Sequence, residues 1–362
     1  MSVPRSTDDL PDHRSRVRGC LLGGALGDAL GAPIEFESIR RIRGQYGPAG
    51  VTGLVTDWRG KVGLITDDTQ MTLFTVEGLI RRPEVAAMRR AYLRWLDTQQ
   101  HPSPPPADDV VRTGWLREQQ WLYAQRAPGN ACLSGLRNGL AGDLAPLGAP
   151  GPVNPGSKGC GTVMRSAPFG LGAPSPRHAF ELAAECAQIT HGHPTGYLAG
   201  GALAAIVHFL MEGGSLAEAV RRTTDLLAAY PRHEETTRAL RAAVSLALEG
   251  DPGPEKVESL GEAWIAEEAL AIAVYCALVY PEARDLPQAL LLAVNHSGDS
   301  DSTGAICGNL LGAIHGETAL PAEWLARLEG REVTIELADD FAAKSAEGHE
   351  VTEAWLGKYP DS

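Results

Sequence analysis

The chain has 362 residues, with 32 Lys and Arg against 45 Asp and Glu and a net charge of −13. That balance excludes the broad basic surface needed for nonspecific binding to a nucleic-acid backbone. Apolar residues make up 44% and charged residues 21% of the chain, as in globular proteins with a sizeable core. Cys20, Cys132, Cys160, Cys186, Cys276 and Cys307 are scattered and form no CxxC pair, so neither a disulfide framework nor a zinc site is expected. Reduced thiols, a polar N-terminus without an apolar signal core, and no stretch read as long enough to span a bilayer (198–210 is broken by glycine and histidine) point to a cytoplasmic monomer with no membrane association.

In chain order, residues 1–14 are polar, hold two prolines and read as a disordered arm, leaving 15–362 as a single domain. The spacing predicts a helix over 17–30 that carries Gly19, Gly23, Gly24 and Gly27. Each glycine weakens a helix by about 1 kcal/mol relative to alanine, so four of them require a reason such as the close approach of a neighbouring backbone. Residues 37–65 read as a long loop, followed by helices over 69–81 and 85–98. Four prolines break the pattern over 101–107. Helices over 115–125 and 131–140 precede a long Gly/Pro-rich loop at 143–161, a length that is usually functional in a compact domain. The remainder is helical by periodicity: 177–190, 195–212, 215–229, 234–248, 263–279, 286–294, 303–315, 322–328 and 337–346. Strand signals are confined to 51–55 and 333–335.

Two acidic clusters stand far apart: Thr66-Asp67-Asp68-Thr69 and Asp299-Ser300-Asp301-Ser302-Thr303, each at the start of a helix. One aspartate there is ordinarily an N-cap. A cap needs a single acceptor, whereas each cluster offers two carboxylates and flanking hydroxyls. Crowded carboxylates repel unless a cation offsets them. An all-oxygen set suits a hard divalent cation such as Mg²⁺ or Mn²⁺, and has room for two. Clusters shared by one site would tie the two ends of the chain into one all-α domain.

The second cluster superficially resembles the DxDxT nucleophile loop of haloacid-dehalogenase phosphatases, but it lies late in the chain and lacks the preceding parallel sheet. Four segments together, over 17–317, closely resemble the ADP-ribosylglycohydrolase family. They are Gly19-Cys20-Leu21-Leu22-Gly23-Gly24-Ala25-Leu26-Gly27-Asp28, the Thr66 cluster, Gly159-Cys160-Gly161-Thr162-Val163-Met164-Arg165, and Gly298-Asp299-Ser300-Asp301-Ser302-Thr303.

The resemblance implies a compact, orthogonal all-α domain with a binuclear metal cleft for two divalent cations, Mg²⁺ or Mn²⁺. It implies Thr66, Asp67, Asp68, Asp299, Asp301 and Ser302 as metal ligands, Ser302 standing where relatives often have threonine. Glu35 matches a glutamate on a mobile loop and becomes the candidate for proton transfer, with Asp301 as a second catalytic candidate. Asp28 matches an aspartate expected to bond backbone in the neighbouring loop. Ser157, Gly159, Cys160, Gly161, Thr162, Met164 and His191 would hold ADP-ribose, with backbone N–H groups facing its diphosphate. Lys158 stands where some relatives have an aromatic, and Cys160 where some have asparagine. Trp264, Glu267 and Glu268 open a helix that could face the cleft, although a core tryptophan with solvated glutamates fits them as well. His296 is expected only to support the second cluster.

The implied function is metal-dependent hydrolysis of the bond between ADP-ribose and an acceptor: arginine first, then other side chains, a nucleobase or a small molecule. The loops at 99–112 and 143–158 are where acceptor choice is expected. The alternative is an ADP-ribose-binding or immunity-type protein on the same scaffold with little turnover.

Overall fold

The computed structural model describes residues 11–57, 59–139, 143–345 and 350–360. The expected N-terminal arm falls mainly on residues 1–10, outside the described residues. The chain is already helical at His13, where Asp12 caps the helix by accepting a bond from Ser15 N at 2.7 Å. The first third folds into α1 (His13–Gly31), α2 (Ile39–Tyr46), α3 (Asp67–Arg81), α4 (Val85–Gln100) and α5 (Asn130–Asn138). Next come α6 (Pro168–Leu171), α7 (Pro176–Ala187), α8 (Pro194–Met211), α9 (Leu216–Leu227), α10 (Glu234–Leu248) and α11 (Pro254–Glu258). The last third holds α12 (Ala266–Val279), α13 (Leu286–Val294), α14 (Ser300–His315), α15 (Ala322–Leu325), α16 (Arg331–Ser345) and α17 (Glu353–Lys358).

Three expectations need correction. The 37–65 loop contains α2, a short helix that buries only Ile42 and so leaves almost no periodic signal. The helix expected over 115–125 is two 3₁₀ turns, Leu116–Glu118 and Gln120–Leu122. The strand candidate at 333–335 lies inside α16, and 51–55 stays irregular. Among the described residues the only β-pairing is two isolated bridges, Thr56 with Val62 and Gly159 with Ile265.

The fold is organised around α1 and α14, which run antiparallel with their backbones in contact. A Cβ on Gly23 would lie 2.4 Å from the Gly308 carbonyl oxygen, and one on Gly308 would lie 1.9 Å from that of Gly23. Gly19 meets Gly312 and Gly27 meets Gly304 in the same way. The close approach that the glycines called for is therefore to α14, whose own glycines recur at the matching four-residue spacing. No larger side chain fits in this seam. The antiparallel register brings the C-terminal end of α1 level with the N-terminal end of α14. A Cβ on Gly31 would lie 2.4 Å from Asp301 N. Outside the seam, Arg14 and Arg18 bind Asp339 of α16 and clamp that helix against α1.

Helix α8 reaches 18 residues, longer than the 198–210 stretch suggested. By length and composition it is apolar enough to cross a membrane, but 94% of it is buried within the domain. It packs against α7, α9 and α12, as the central helix of a helical core does.

Candidate active site

Burial of the acidic clusters starts with Asp28. It is fully enclosed and its carboxylate accepts bonds from Thr66 N at 3.0 Å, Thr69 N at 3.1 Å and the Thr69 hydroxyl. These bonds fasten the start of α3 to α1. Asp67 and Asp68 form the first turn of α3, both buried, with Thr66 as the N-cap. Asp67 accepts from Gly129 N at 3.2 Å, which brings the start of α5 to the site. Asp68 Oδ2 is buried with no hydrogen-bond partner. It borders a small enclosed cavity beside Asn309, whose Oδ1 is also unpartnered.

The second cluster approaches from α14. Asp299 is its N-cap, accepting from Ser302 N at 3.3 Å, and Asp301 accepts from the same N–H at 2.9 Å. Asp301 is the leading charged neighbour of both Asp67 and Asp68, so the two clusters come together although they lie far apart in the chain. Carboxylate oxygens of Glu35, Asp299 and Asp301 lie within 4.8 Å of one another. The carboxylates of both clusters thus gather at one site, whereas the Ser300 and Thr303 hydroxyls turn away to bond His296 O and Ala293 O. Among the described residues none of Asp28, Glu35, Asp67, Asp68, Asp299 or Asp301 has a Lys, Arg or His partner.

Six carboxyl groups packed without a cation cannot all ionise easily. Burial first, then Asp301, Asp299 and Asp67, push Glu35 up to about 11. Burial and Asp301 raise Asp28 to about 7. Asp67, Asp68 and Asp301 are driven well above the usual carboxylate range by burial and by their neighbours' charge, and Asp299 is raised by burial. The donor set, the orphaned Asp68 oxygen and the raised proton affinities all fit a site built for divalent cations.

The glycine-rich loop lies on the other wall. Cys160 donates its thiol to Asp299 Oδ2 at 2.7 Å, which joins this loop directly to the second cluster. The His191 ring fills the space beneath the loop: a Cβ on Gly161 would come within 3.1 Å of it, and one on Gly159 within 3.4 Å. Burial and the nearby Arg165 lower His191 to about 3, so it is neutral. Thr162 is fully buried and donates to Gly196 O at 2.6 Å. Met164 is buried as well, and its carbonyl accepts from Thr72. The side chains of these two expected ligand residues therefore pack under the loop, and what they can offer a ligand is backbone. Cys160–Thr162 forms a 3₁₀ turn, and the backbone N–H groups of Gly159 and Gly161 donate to no acceptor among the described residues. Ser157 borders an open groove of about 640 Å³ that also reaches Asn130, Ser134, Arg137 and Asn154. Asn130 follows Gly129, the partner of Asp67, so the groove leads away from the acidic site.

Around this loop the structure gives Lys158, Trp264 and Arg165 definite roles and adds Phe36, which the sequence did not single out. Lys158 does not reach the groove; it bonds Glu235 at 2.8 Å and Glu267 at 2.5 Å. Trp264 is neither core nor solvated at random. It is 36% exposed and stacks on Phe36, with ring centroids 5.2 Å apart. Phe36 carried no signal beyond its place next to Glu35. Arg165 is fully buried, lies over Tyr92 and bonds the Gly161 carbonyl and Thr190 Oγ1, so it shapes the loop from below.

A family model described as ADP-ribosylglycohydrolase matches residues 9–350. The chain belongs to the ADP-ribosylglycohydrolase family. It is 30% identical over 326 residues to the ADP-ribosyl-[dinitrogen reductase] glycohydrolase of Rhodospirillum rubrum, covering 88% of this chain and 92% of that protein. It is 25% identical over 360 residues to human ADP-ribosylhydrolase ARH3, covering 90% and 93%. An ADP-ribosylarginine hydrolase, Tri1 of Pseudomonas putida, is 22% identical and is covered to 82%. Among solved structures, an ADP-ribosylglycohydrolase-related protein complex superposes with a TM-score of 0.63 at 25% identity, covering 92% of this chain and 99% of that one. Members of this family are glycosidic-bond hydrolases, and the all-α architecture described above is theirs.

Proposed function

We propose that this glycohydrolase cleaves the bond between the C1″ carbon of ADP-ribose and an acceptor atom, with an arginine side chain as the preferred acceptor, and that it needs two divalent cations, Mg²⁺ or Mn²⁺. The observation that carries this reading is the meeting of two remote acidic clusters, buried and without a cationic partner among the described residues. Thr66, Asp67, Asp68, Asp299, Asp301 and Ser302 are the residues that would hold the cations. Bound there, divalent cations supply Lewis-acid polarisation and a lowered pKa for bound water.

The chain's own groups do the rest. The unpaired N–H groups of Gly159 and Gly161 suit the anionic oxygens of a diphosphate, which explains how a protein of net charge −13 can take an anionic ligand. The groove from Asn130 to Ser157 accommodates the adenosine end. Holding both ends fixes the proximal ribose over the acid cluster, converting an encounter into a preset geometry. Glu35, whose carboxylate lies within 4.8 Å of those of Asp299 and Asp301, is our candidate to pass a proton to the departing acceptor atom.

The test is release of free ADP-ribose from an ADP-ribosylated arginine peptide, with Mg²⁺ or Mn²⁺ and with EDTA. Release that EDTA abolishes is the expected result. Tight ADP-ribose binding without product under either metal would support the binding-protein alternative and overturn the hydrolase reading.

A further inference from the structure

Beside the acid cluster stands an aromatic pair that the chemistry above does not use. Phe36 follows Glu35 directly and is 68% exposed; Trp264 is the partner it stacks on, with an interplanar angle of 17°. Two large rings facing solvent at the edge of a reaction site represent apolar area that folding alone would bury.

Both rings are held there by strained and tightly bonded backbone. Phe36 itself has φ 68°, and Ala263, immediately before Trp264, has φ 65°. A left-handed conformation is a true outlier for a bulky residue and costs about 1 kcal/mol or more. The turn before Trp264 is clamped on three sides. Glu268 accepts from Glu262 N at 3.0 Å and from Ala263 N at 3.2 Å. Asp299 N donates to Glu262 O at 2.9 Å, and the Trp264 carbonyl accepts from Cys160 N at 3.2 Å. The tryptophan backbone is thus pinned between the second acid cluster and the glycine-rich loop, and only its ring is left to face outward. Glu37, on the far side of Phe36 from Glu35, pairs with Arg41 at 2.8 Å, and the exposed Glu262 two residues before Trp264 leaves one carboxylate beside the rings.

An exposed aromatic face with a carboxylate, Glu262, close in the chain recognises a planar cation. Guanidinium stacks on aromatic faces and pairs with carboxylates, whereas a small neutral hydroxyl acceptor does neither. We infer that the Phe36–Trp264 pair is the acceptor subsite, selecting a guanidinium leaving group through stacking on its outer face. This inference rests on the glycohydrolase reading given above.

The experiment compares full-length parent, Phe36→Ala, Trp264→Ala and Trp264→Phe on two peptides, one ADP-ribosylated on arginine and one on serine, with Mg²⁺ or Mn²⁺ present. The readout is the ratio of kcat/KM values for arginine over serine. Either alanine variant should lower that ratio about tenfold, mostly through KM for the arginine peptide. Trp264→Phe keeps a stacking face and should hold the ratio within about threefold of the parent. Equal loss on both peptides would overturn the inference, because it would make the pair a mere clip on the Glu35 segment. A parent that cleaves the serine peptide but not the arginine peptide would overturn it while leaving the glycohydrolase reading intact. A parent that cleaves neither would bring down the glycohydrolase reading itself.

Discussion

The seam between α1 and α14 and the rim formed by residues 32–38 and 261–265 lie on either side of the same acid cluster, and they are built in opposite ways. In the seam, position is fixed by the absence of side chains: glycines at four-residue intervals let two backbones touch, and a single added methyl would strike a carbonyl oxygen. On the rim, position is fixed by strained residues and hydrogen bonds, and large side chains are left facing solvent. The seam holds Asp28, Asp299 and Asp301 at a constant spacing. The rim carries Glu35, the group proposed to meet the leaving acceptor. A site that holds cations needs the first kind of construction, and a site that admits a varied acceptor needs the second.

The largest effect should come from breaking the seam. Gly23→Ala or Gly308→Ala forces the helices apart and should lower unfolding free energy by about 3 kcal/mol, read from urea denaturation. A loss below about 0.5 kcal/mol, the level of a neutral surface change, would mean the seam is looser than described.

Next in size is the cluster that the seam positions. Asp67→Ala and Asp301→Ala should lower ADP-ribose release by about a hundredfold or more, since cation-assisted stabilisation is worth several kcal/mol. Their far-UV circular dichroism should match the parent. Turnover at the parent rate by either variant would refute the ligand assignment.

The acidic groups also give the stability a pH dependence. Folded-state proton affinities raised above the ordinary values mean that the native protein holds protons the unfolded chain has released. Stability therefore falls as pH rises, between about 3.8 and about 7 for Asp28 and onward toward about 11 for Glu35. The Tm of EDTA-treated protein should drop from pH 5 to pH 9. Saturating Mn²⁺ should raise Tm most at the upper end, since a ligand that binds only the native state stabilises it. A Tm that climbs with pH in EDTA would show that the cluster is already neutralised by other means.

Much of this was legible in the sequence, for reasons that differ by region. The glycines of α1 call for a close neighbour, and the paired aspartates at two helix starts exceed what capping needs, so the sequence already points to the two clusters sharing one site. The partner of the α1 glycines went unread, since Gly304, Gly308 and Gly312 look like ordinary small residues until the register is known. The rim was legible only in part: Glu35 and Trp264 stood out, but the aromatic stack did not. Nothing in Ile34-Glu35-Phe36 announces a left-handed phenylalanine, and the stack on Trp264 joins residues 228 apart (264 − 36 = 228). Helix α2 was missed because one buried isoleucine makes no pattern.

The smallest effect sharpens the comparison by control. Gly44 lies in α2 with nothing within 4 Å of a Cβ placed there. Gly44→Ala should stabilise the protein by about 0.5–1 kcal/mol, opposite in sign to the same change in the seam.

The most direct test of the central claim is calorimetric titration of Mn²⁺ into EDTA-stripped, dialysed protein, alongside Asp301→Ala. Two ions bound per chain by the parent, with binding lost in the variant, is the predicted result. No uptake by the parent, or uptake unchanged in the variant, would contradict the assignment of the two acid clusters as one cation site.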